Sequence, residues 1–200
     1  MKVSELIWRT ARIEIRNLTE ADCTRILKGD YPADTPGRAH IRQVVENVRD
    51  AWDFLAEHED EPVDWMFLGE YNRLCGRNLV PDAGRMRTHP VRMTGTRWMP
   101  RPLVVPDDVY RSINLALDEP TVIRRACRLF MEACRGQWFN DGNKRTACMA
   151  ANHLLAHGHA GCFAIPPDVV NTTFPGLLLD WYETGEPGPL MGWLQANAIL

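Results

Sequence analysis

One stretch governs what this chain can fold into. Gly136-Gln137-Trp138-Phe139-Asn140-Asp141-Gly142-Asn143-Lys144-Arg145-Thr146 is a polar loop that runs without a break into the small-residue helix Ala147 to Leu155. In that helix Ala147, Ala150, Ala151, Leu154 and Leu155 permit close packing by neighbouring helices, which marks it as central. The loop itself suits an anion. Gly142 lets the backbone approach a ligand, and the helix start behind it leaves unpaired N–H groups carrying partial positive charge. Lys144 and Arg145 add cationic donors, Arg145 with a fork that can grip a phosphate through two parallel hydrogen bonds. Asp141 offers an oxygen ligand for Mg2+ beside those phosphates. A turn that only caps a helix needs none of these groups, so the stretch is read as a site for a nucleotide diphosphate or triphosphate.

The remaining composition bounds the setting. Two hundred residues, 45% apolar and 24% charged, suffice for a single globular domain with a substantial core. A formal charge of −3 without any Lys/Arg block argues against a nucleic-acid partner, which would require clustered cations. Met1 to Trp8 lacks the apolar run of a signal peptide, and no stretch approaches bilayer-spanning length. A cytoplasmic protein with no membrane partner is expected. The six cysteines (Cys23, Cys75, Cys127, Cys134, Cys148, Cys162) are scattered through apolar segments with no C-x-x-C pair, as expected for reduced, mostly buried thiols without disulfides.

Along the chain, two short helices are expected before the Pro/Gly-rich stretch Gly29 to Gly37, the second starting at Thr19-Glu20-Ala21-Asp22. The core boundary is placed near Gly37. Ile41, Val44, Val45, Val48, Trp52 and Leu55 then mark one face of a helix from Arg38 to about His58. Trp65, Phe67, Leu68, Tyr71 and Leu74 mark another, stopped by Gly76, and the acidic run Glu57 to Glu61 between them reads as a solvated loop. Asn78 to Pro106 is rich in proline, and Thr94-Gly95-Thr96 is a plausible hairpin turn between two short, irregular strands. Helices are expected from Pro106-Asp107-Asp108 to about Leu117, and from Glu119-Pro120-Thr121 into the polar loop. Phe174 to Tyr182 and Leu190 to Ile199 are read as two more, separated by Gly185 to Pro189, for about eight helices and one hairpin.

Written in one-letter code, Gln137 to Arg145 is Q-W-F-N-D-G-N-K-R. It resembles the signature of the Fic (Fido-fold) proteins, H-x-F-x-[DE]-G-N-[GK]-R, at Phe139, Asp141, Gly142, Asn143, Lys144 and Arg145. The order of helices, hairpin, motif and closing helices is similar to a compact Fic domain over roughly residues 37–199. The resemblance implies an all-α Fic fold with a β-hairpin flap, with residues 1–36 as an N-terminal helical extension and 37–200 as the Fic domain. It implies that Phe139 packs into the core to hold the loop, and that Phe139, Asn140, Asp141, Gly142, Asn143, Lys144 and Arg145 form the nucleotide site. Asp141 would be the Mg2+ ligand, with ATP or another nucleotide as donor. Arg92, Met93, Thr94, Gly95, Thr96, Arg97 and Trp98 fall where the flap docks a protein or peptide acceptor. An antitoxin-like regulator and homo-oligomers are further partners consistent with such a protein. The text from Ala151-Asn152-His153 through Ile165-Pro166-Pro167 to Glu183-Thr184-Gly185 resembles a Fic subgroup that also carries glutamine where the family has its catalytic histidine.

That histidine is here Gln137. In the family it takes the proton from a target hydroxyl that attacks the α-phosphate of ATP, producing adenylylation (AMPylation). A glutamine amide cannot act as a base near neutral pH, although it can orient a hydroxyl or water. Loss of a general base costs about 10²–10⁴ in rate. The candidate catalytic set is therefore Gln137, Lys144 and Arg145, with Gln137 positioning the acceptor. Two routes around the missing base are an acceptor that is already anionic and a second base reaching the site, for which His89 is the nearest candidate. The alternative is a catalytically silent nucleotide-binding or regulatory module. Lys144 resembles the Doc-type toxins, which turn the nucleotide round, and Cys148 stands where many Fic proteins have a second arginine, against glutamate-based autoinhibition. Glu46-Asn47 is the nearest match to an inhibitory pattern and reads as an exposed helix site.

Outside the motif, His153, His157, His159 and Cys162 cluster in sequence. His153 and His157 have the i, i+4 spacing of two imidazoles on one metal, but no carboxylate lies between them and a helix C-terminus independently favours histidine. Trp8, Trp52, Trp65, Trp181 and Trp193 read as core or interface aromatics, and Trp138 as a shaper of the pocket rim.

Overall fold

A computed structural model describes residues 2–200. Nine helices follow one another among the described residues: α1 (Val3–Arg12), α2 (Glu20–Leu27), α3 (Pro36–Glu57), α4 (Trp65–Gly76), α5 (Pro106–Leu117), α6 (Val122–Gly136), α7 (Asn143–His157), α8 (Thr173–Thr184) and α9 (Pro187–Asn197). The starts are written in the sequence. Thr19, Thr35, Asp64 and Thr121 each accept a hydrogen bond from an amide in the first turn of the following helix, a cap worth about 1 kcal/mol. Pro106 and Pro187 stand in the first turns of α5 and α9, where their missing N–H has no intrahelical acceptor to lose. For that reason α9 begins at Pro187 rather than at Leu190, and only Gly185 and Glu186 separate it from α8.

α7 is the shared wall of the molecule. Every residue from Arg145 to Leu155 is buried. On one side Ala147, Cys148, Ala150, Ala151, Leu154 and Leu155 join the apolar cluster of α5, α6, α8 and α9. On the other, Met149 joins a cluster built from Leu6, Ile7 and Ala11 of α1, Cys23 and Ile26 of α2, Val44 and Val48 of α3, and Tyr71 of α4. The opening helices are thus packed into the core that holds α7. The chain's end pairs back on the exit from α7: Phe163 and Ile199 form an isolated antiparallel bridge, with Cys162 and Leu200 exchanging both backbone hydrogen bonds at 3.0 Å.

The expected hairpin differs. The chain does turn at Thr94-Gly95, with Gly95 at φ 86°, but residues 88–104 contain no strand and make no regular backbone ladder. Pro90, Pro100 and Pro102 remove donors from the limbs, and the limbs are tied by side chains instead. All six cysteines are free thiols, five of them buried. No helix among the described residues is long and apolar enough to cross a membrane.

Candidate active site

α6 ends at Gly136, and Gln137 caps it in the left-handed conformation (φ 46°, ψ 53°), an arrangement a residue with a Cβ adopts at some cost. Gly136 is needed beside it because the Trp138 indole lies where a Cβ would stand. The Gln137 side chain turns into the protein. Its Nε2 donates to the Cys134 carbonyl at 2.7 Å, and its Oε1 accepts from Asn143 Nδ2 at 3.1 Å. Asn143 closes the loop from within: its Oδ1 accepts the Phe139 amide and its Nδ2 also donates to the Phe139 carbonyl, both at 3.0 Å. Phe139 is buried and stacks on Trp65 with ring centroids 5.1 Å apart. Its side chain supports the loop from behind and has no surface to offer a nucleotide. Trp138 is buried too, packed edge-on against Trp65.

Behind the loop stands Asn72, on the buried face of α4. Its Nδ2 donates to the Asp141 carbonyl at 2.9 Å and to Thr146 Oγ1 at 3.0 Å, and its Oδ1 accepts the Gly84 amide at 2.8 Å. Gly142 (φ 77°) passes so close that a Cβ would lie 3.2 Å from Asn72 Nδ2, so conformation and space both require glycine there. No side chain caps α7, which leaves the amides of its first turn facing the loop. The exposed Asp141 carboxylate accepts the Gly142 amide through Oδ1 at 2.6 Å.

Arg145 lies beneath this turn, 2% exposed. Nη1 donates to the Cys75 carbonyl at 2.8 Å, Nη2 faces Glu14 Oε2 at 3.6 Å, and the buried Nε has no partner. Asn140 Oδ1 is likewise buried without a partner. Orphaned buried polar atoms are uncommon in folded proteins. Both residues belong to the stretch that runs into the uncapped start of α7, an arrangement that leaves an anion room for further hydrogen bonds.

A second arginine ties the 88–104 segment to the loop. Arg87, also 2% exposed, donates from Nε to the Gln137 carbonyl at 2.5 Å, from Nη1 to the carbonyls of His89 and Pro102 at 2.8 Å, and from Nη2 to that of Arg101 at 2.6 Å. Burial without an acidic partner pulls its pKa down. The turn itself rests on α8: Thr96 donates to Glu183 at 2.5 Å, and Trp98 stacks on Tyr182 with centroids 5.5 Å apart. Arg92, Met93, Arg97 and the Thr94-Gly95 turn complete the segment, and Met93 packs partly against the core.

Other expected groups lie elsewhere. The exposed His89 side chain makes its contact with Thr88 Oγ1, at 3.5 Å. His153 is fully buried with both ring nitrogens engaged, Nδ1 with the Tyr71 hydroxyl at 2.7 Å and Nε2 with the Glu61 carbonyl at 3.0 Å, so it has no lone pair for a metal. His157 Nδ1 lies 3.2 Å from the Glu59 carbonyl. Among the described residues no group of His, Cys, Asp or Glu is arranged to hold a metal ion. The acidic turn after α3 thus lends its backbone to α7 while its side chains meet solvent. Glu46 pairs with Arg42 one turn away, at 3.8 Å. Glu14, Asn72 and Arg87 were not expected at the site. A polar residue on the apolar face of α4 was a readable signal for Asn72, while nothing local marks Glu14 or Arg87.

The fold matches known structures. Fic-1 (residues 134–508) from C. elegans superposes with a TM-score of 0.75 at 19% identity, over 98% of this chain and 59% of that one, so the chain spans less than two thirds of that protein's length. A Fic-domain-containing signaling protein from Bacteroides thetaiotaomicron gives 0.74 at 16% identity, covering 97% of this chain and 82% of the other. BepC, a VirB-translocated effector from Bartonella tribocorum solved with bound AMPPNP, gives 0.59 at 16% identity over 84% and 89%. No curated protein matches by sequence. The Fic/DOC family profile matches residues 40–155, a span that runs from the first turns of α3 to the last of α7 and takes in the loop, Asn72 and Arg87, and the chain therefore belongs to the Fic/DOC family.

Proposed function

We propose that this chain is a nucleotide-dependent transferase that moves AMP, or another phosphate-containing group, onto an acceptor. The observation that carries this is the orphaned, buried Nε of Arg145 beside the uncapped start of α7. The amides of Asn143 to Arg145 would receive phosphate oxygens, with Lys144 beside them, and the Gly142 backbone permits the approach. Asp141 is the exposed oxygen donor there and fits a hard cation. Mg2+ held by Asp141 would offset phosphate charge and orient the leaving group. The nucleotide seen in the Bartonella relative supports this choice of ligand.

Gln137 sets the limit on chemistry. Both ends of its amide are engaged inside the loop, so its role is to hold the backbone at residues 134–143. Proton removal from a hydroxyl has no agent in that position, and the acceptor best suited to the site is one that attacks as an anion and carries no proton to remove. A protein or peptide strand would dock on residues 92–98, whose backbone is unladdered and open to pairing. The protein would work in the cytoplasm, in the manner of a toxin–antitoxin or signalling component.

A silent binding module is the second reading, favoured by the same locked amide. Calorimetric titration with ATP, GTP, CTP and UTP, with and without Mg2+, tests both. Saturable binding lost in Arg145→Ala supports the cradle and names the donor; no binding by any of the four sinks the transferase reading. If Gln137→His gains transfer that the wild type lacks, the silent module is the better description.

A further inference from the structure

Gly136 and Trp138, on either side of Gln137, line a different space. A cavity of about 270 Å3 opens between the 87–105 segment, α5 and the last turns of α6, and none of residues 139–145 borders it. Four arginines, Arg87, Arg101, Arg111 and Arg135, line it against two carboxylates, Asp108 and Glu132. That surplus of two positive charges sits in a chain whose formal charge is −3.

The two acids already have partners. Asp108 is bonded by Arg101 and by Arg111, and Glu132 by Arg128 at 2.8 Å. Burial raises the Glu132 carboxyl above its ordinary range, and Arg128 beside it and Arg135 farther off pull it back. Arg87 spends its donors on backbone carbonyls. Arg135 differs from all of these: its Nε donates to the Tyr182 carbonyl at 3.2 Å, its guanidinium lies 5.2 Å from the rings of both Trp98 and Trp181, and it forms no salt bridge among the described residues. Two rings therefore hold a planar cation in place while its Nη groups keep donors to spare. Such a preorganised fork matches a carboxylate. Apolar surface for the rest of a ligand comes from Trp98, Leu103, Val104 and Val105.

We propose that this cavity binds a small monocarboxylate with an aromatic or branched apolar body, the carboxylate on Arg135 and the body against Trp98 and Val104. The volume lies just under the ~300–1,000 Å3 of drug-sized sites, which suits a single ring or short branched chain. Nothing in it depends on nucleotide transfer.

The experiment titrates phenylacetate, indole-3-acetate and 4-methylpentanoate into the full chain by calorimetry, with phenylacetamide as the uncharged match to phenylacetate. At least one acid should bind saturably, and where phenylacetate binds the amide should bind ~10- to 100-fold more weakly, the range for losing a charge-assisted hydrogen bond. Arg135→Gln should weaken the acid by a similar factor, and Arg145→Ala should leave it unchanged while abolishing any nucleotide binding. Absence of saturation by every acid up to about 10 mM overturns the proposal, as does equal binding of phenylacetate and its amide or an unaltered affinity in Arg135→Gln. If Arg135→Gln fails to fold, the wild-type comparison of acid with amide decides alone.

Discussion

The loop from Gln137 to Thr146 and the segment from Thr88 to Val105 lie against each other yet are built on opposite terms. In the loop Asn143 and Asn72 between them make six hydrogen bonds, five of them to groups of the loop itself, and the loop's buried side-chain atoms without a partner are Arg145 Nε and Asn140 Oδ1. In the segment the backbone pairs with no neighbouring strand, and side chains from outside hold it in place. Unmet hydrogen bonds that are few, buried and convergent indicate a preorganised small site. Unmet hydrogen bonds strung along an exposed backbone indicate a surface waiting for an extended partner.

Arg87 is the link between the two, so removing it is the harshest test of the contrast. Arg87→Met strips a buried cation from four carbonyls, which should cost about 3 kcal/mol or more and lower Tm by ~6–12 °C in a chain of this size. Limited proteolysis should then cut within residues 88–105 while the loop stays protected by its own asparagines. A variant with unchanged Tm and unchanged cleavage would mean that the segment is held by Trp98 and Thr96 alone.

A smaller effect separates the regions by pH. His153 fixes α7 to α4 and to the turn after α3, and its burial holds its pKa below the usual histidine value. The unfolded chain therefore takes up a proton first as pH falls below about 6.5, and stability declines from there toward the folded pKa, by at most about 1.4 kcal/mol per pH unit. Urea unfolding at pH 7.5 and pH 5.5 should show this decline in the wild type and a shallower one in His153→Gln. Hydrogen-exchange protection, taken relative to the intrinsic rate at each pH, should fall at pH 5.5 along the α4–α7 contact and not in residues 88–105. Acid-induced loss of protection confined to that segment would argue against His153 as the cause.

What could be read from the chain beforehand follows the same division. The helices are legible because caps and apolar periodicity are local, and Gly142 and Arg145 stand out in the sequence because the loop carries its glycine, acid and cations in consecutive positions. The Gln137 side chain was expected to face an acceptor. Its inward turn depends on the left-handed cap and on Asn143, six residues on, a geometry that one-dimensional spacing does not express. The expected hairpin keeps its turn but shows no strands, for a related reason: three prolines and the distant Arg87 favour tethering by side chains over a ladder. Glu14 was invisible, since its place beside Arg145 depends on how α1 packs.

Glu14 gives the mildest prediction and bears most directly on whether the cradle is poised for an anion. Its carboxylate, 32% exposed, stands 3.6 Å from the Nη2 of an arginine that is nearly sealed from water. A half-exposed pair of this kind is worth no more than about 1 kcal/mol, so Glu14→Gln should barely alter Tm. An incoming phosphate competes with that carboxylate for the same guanidinium, and removing the competitor should raise nucleotide affinity by up to ~5-fold, the same free energy returned to the ligand. Calorimetry on Glu14→Gln beside the wild type measures it. A fall in affinity would mean that Glu14 works with the ligand, by steadying the Arg145 fork or by sharing a cation with Asp141. The loop would then be one half of a site that α1 completes.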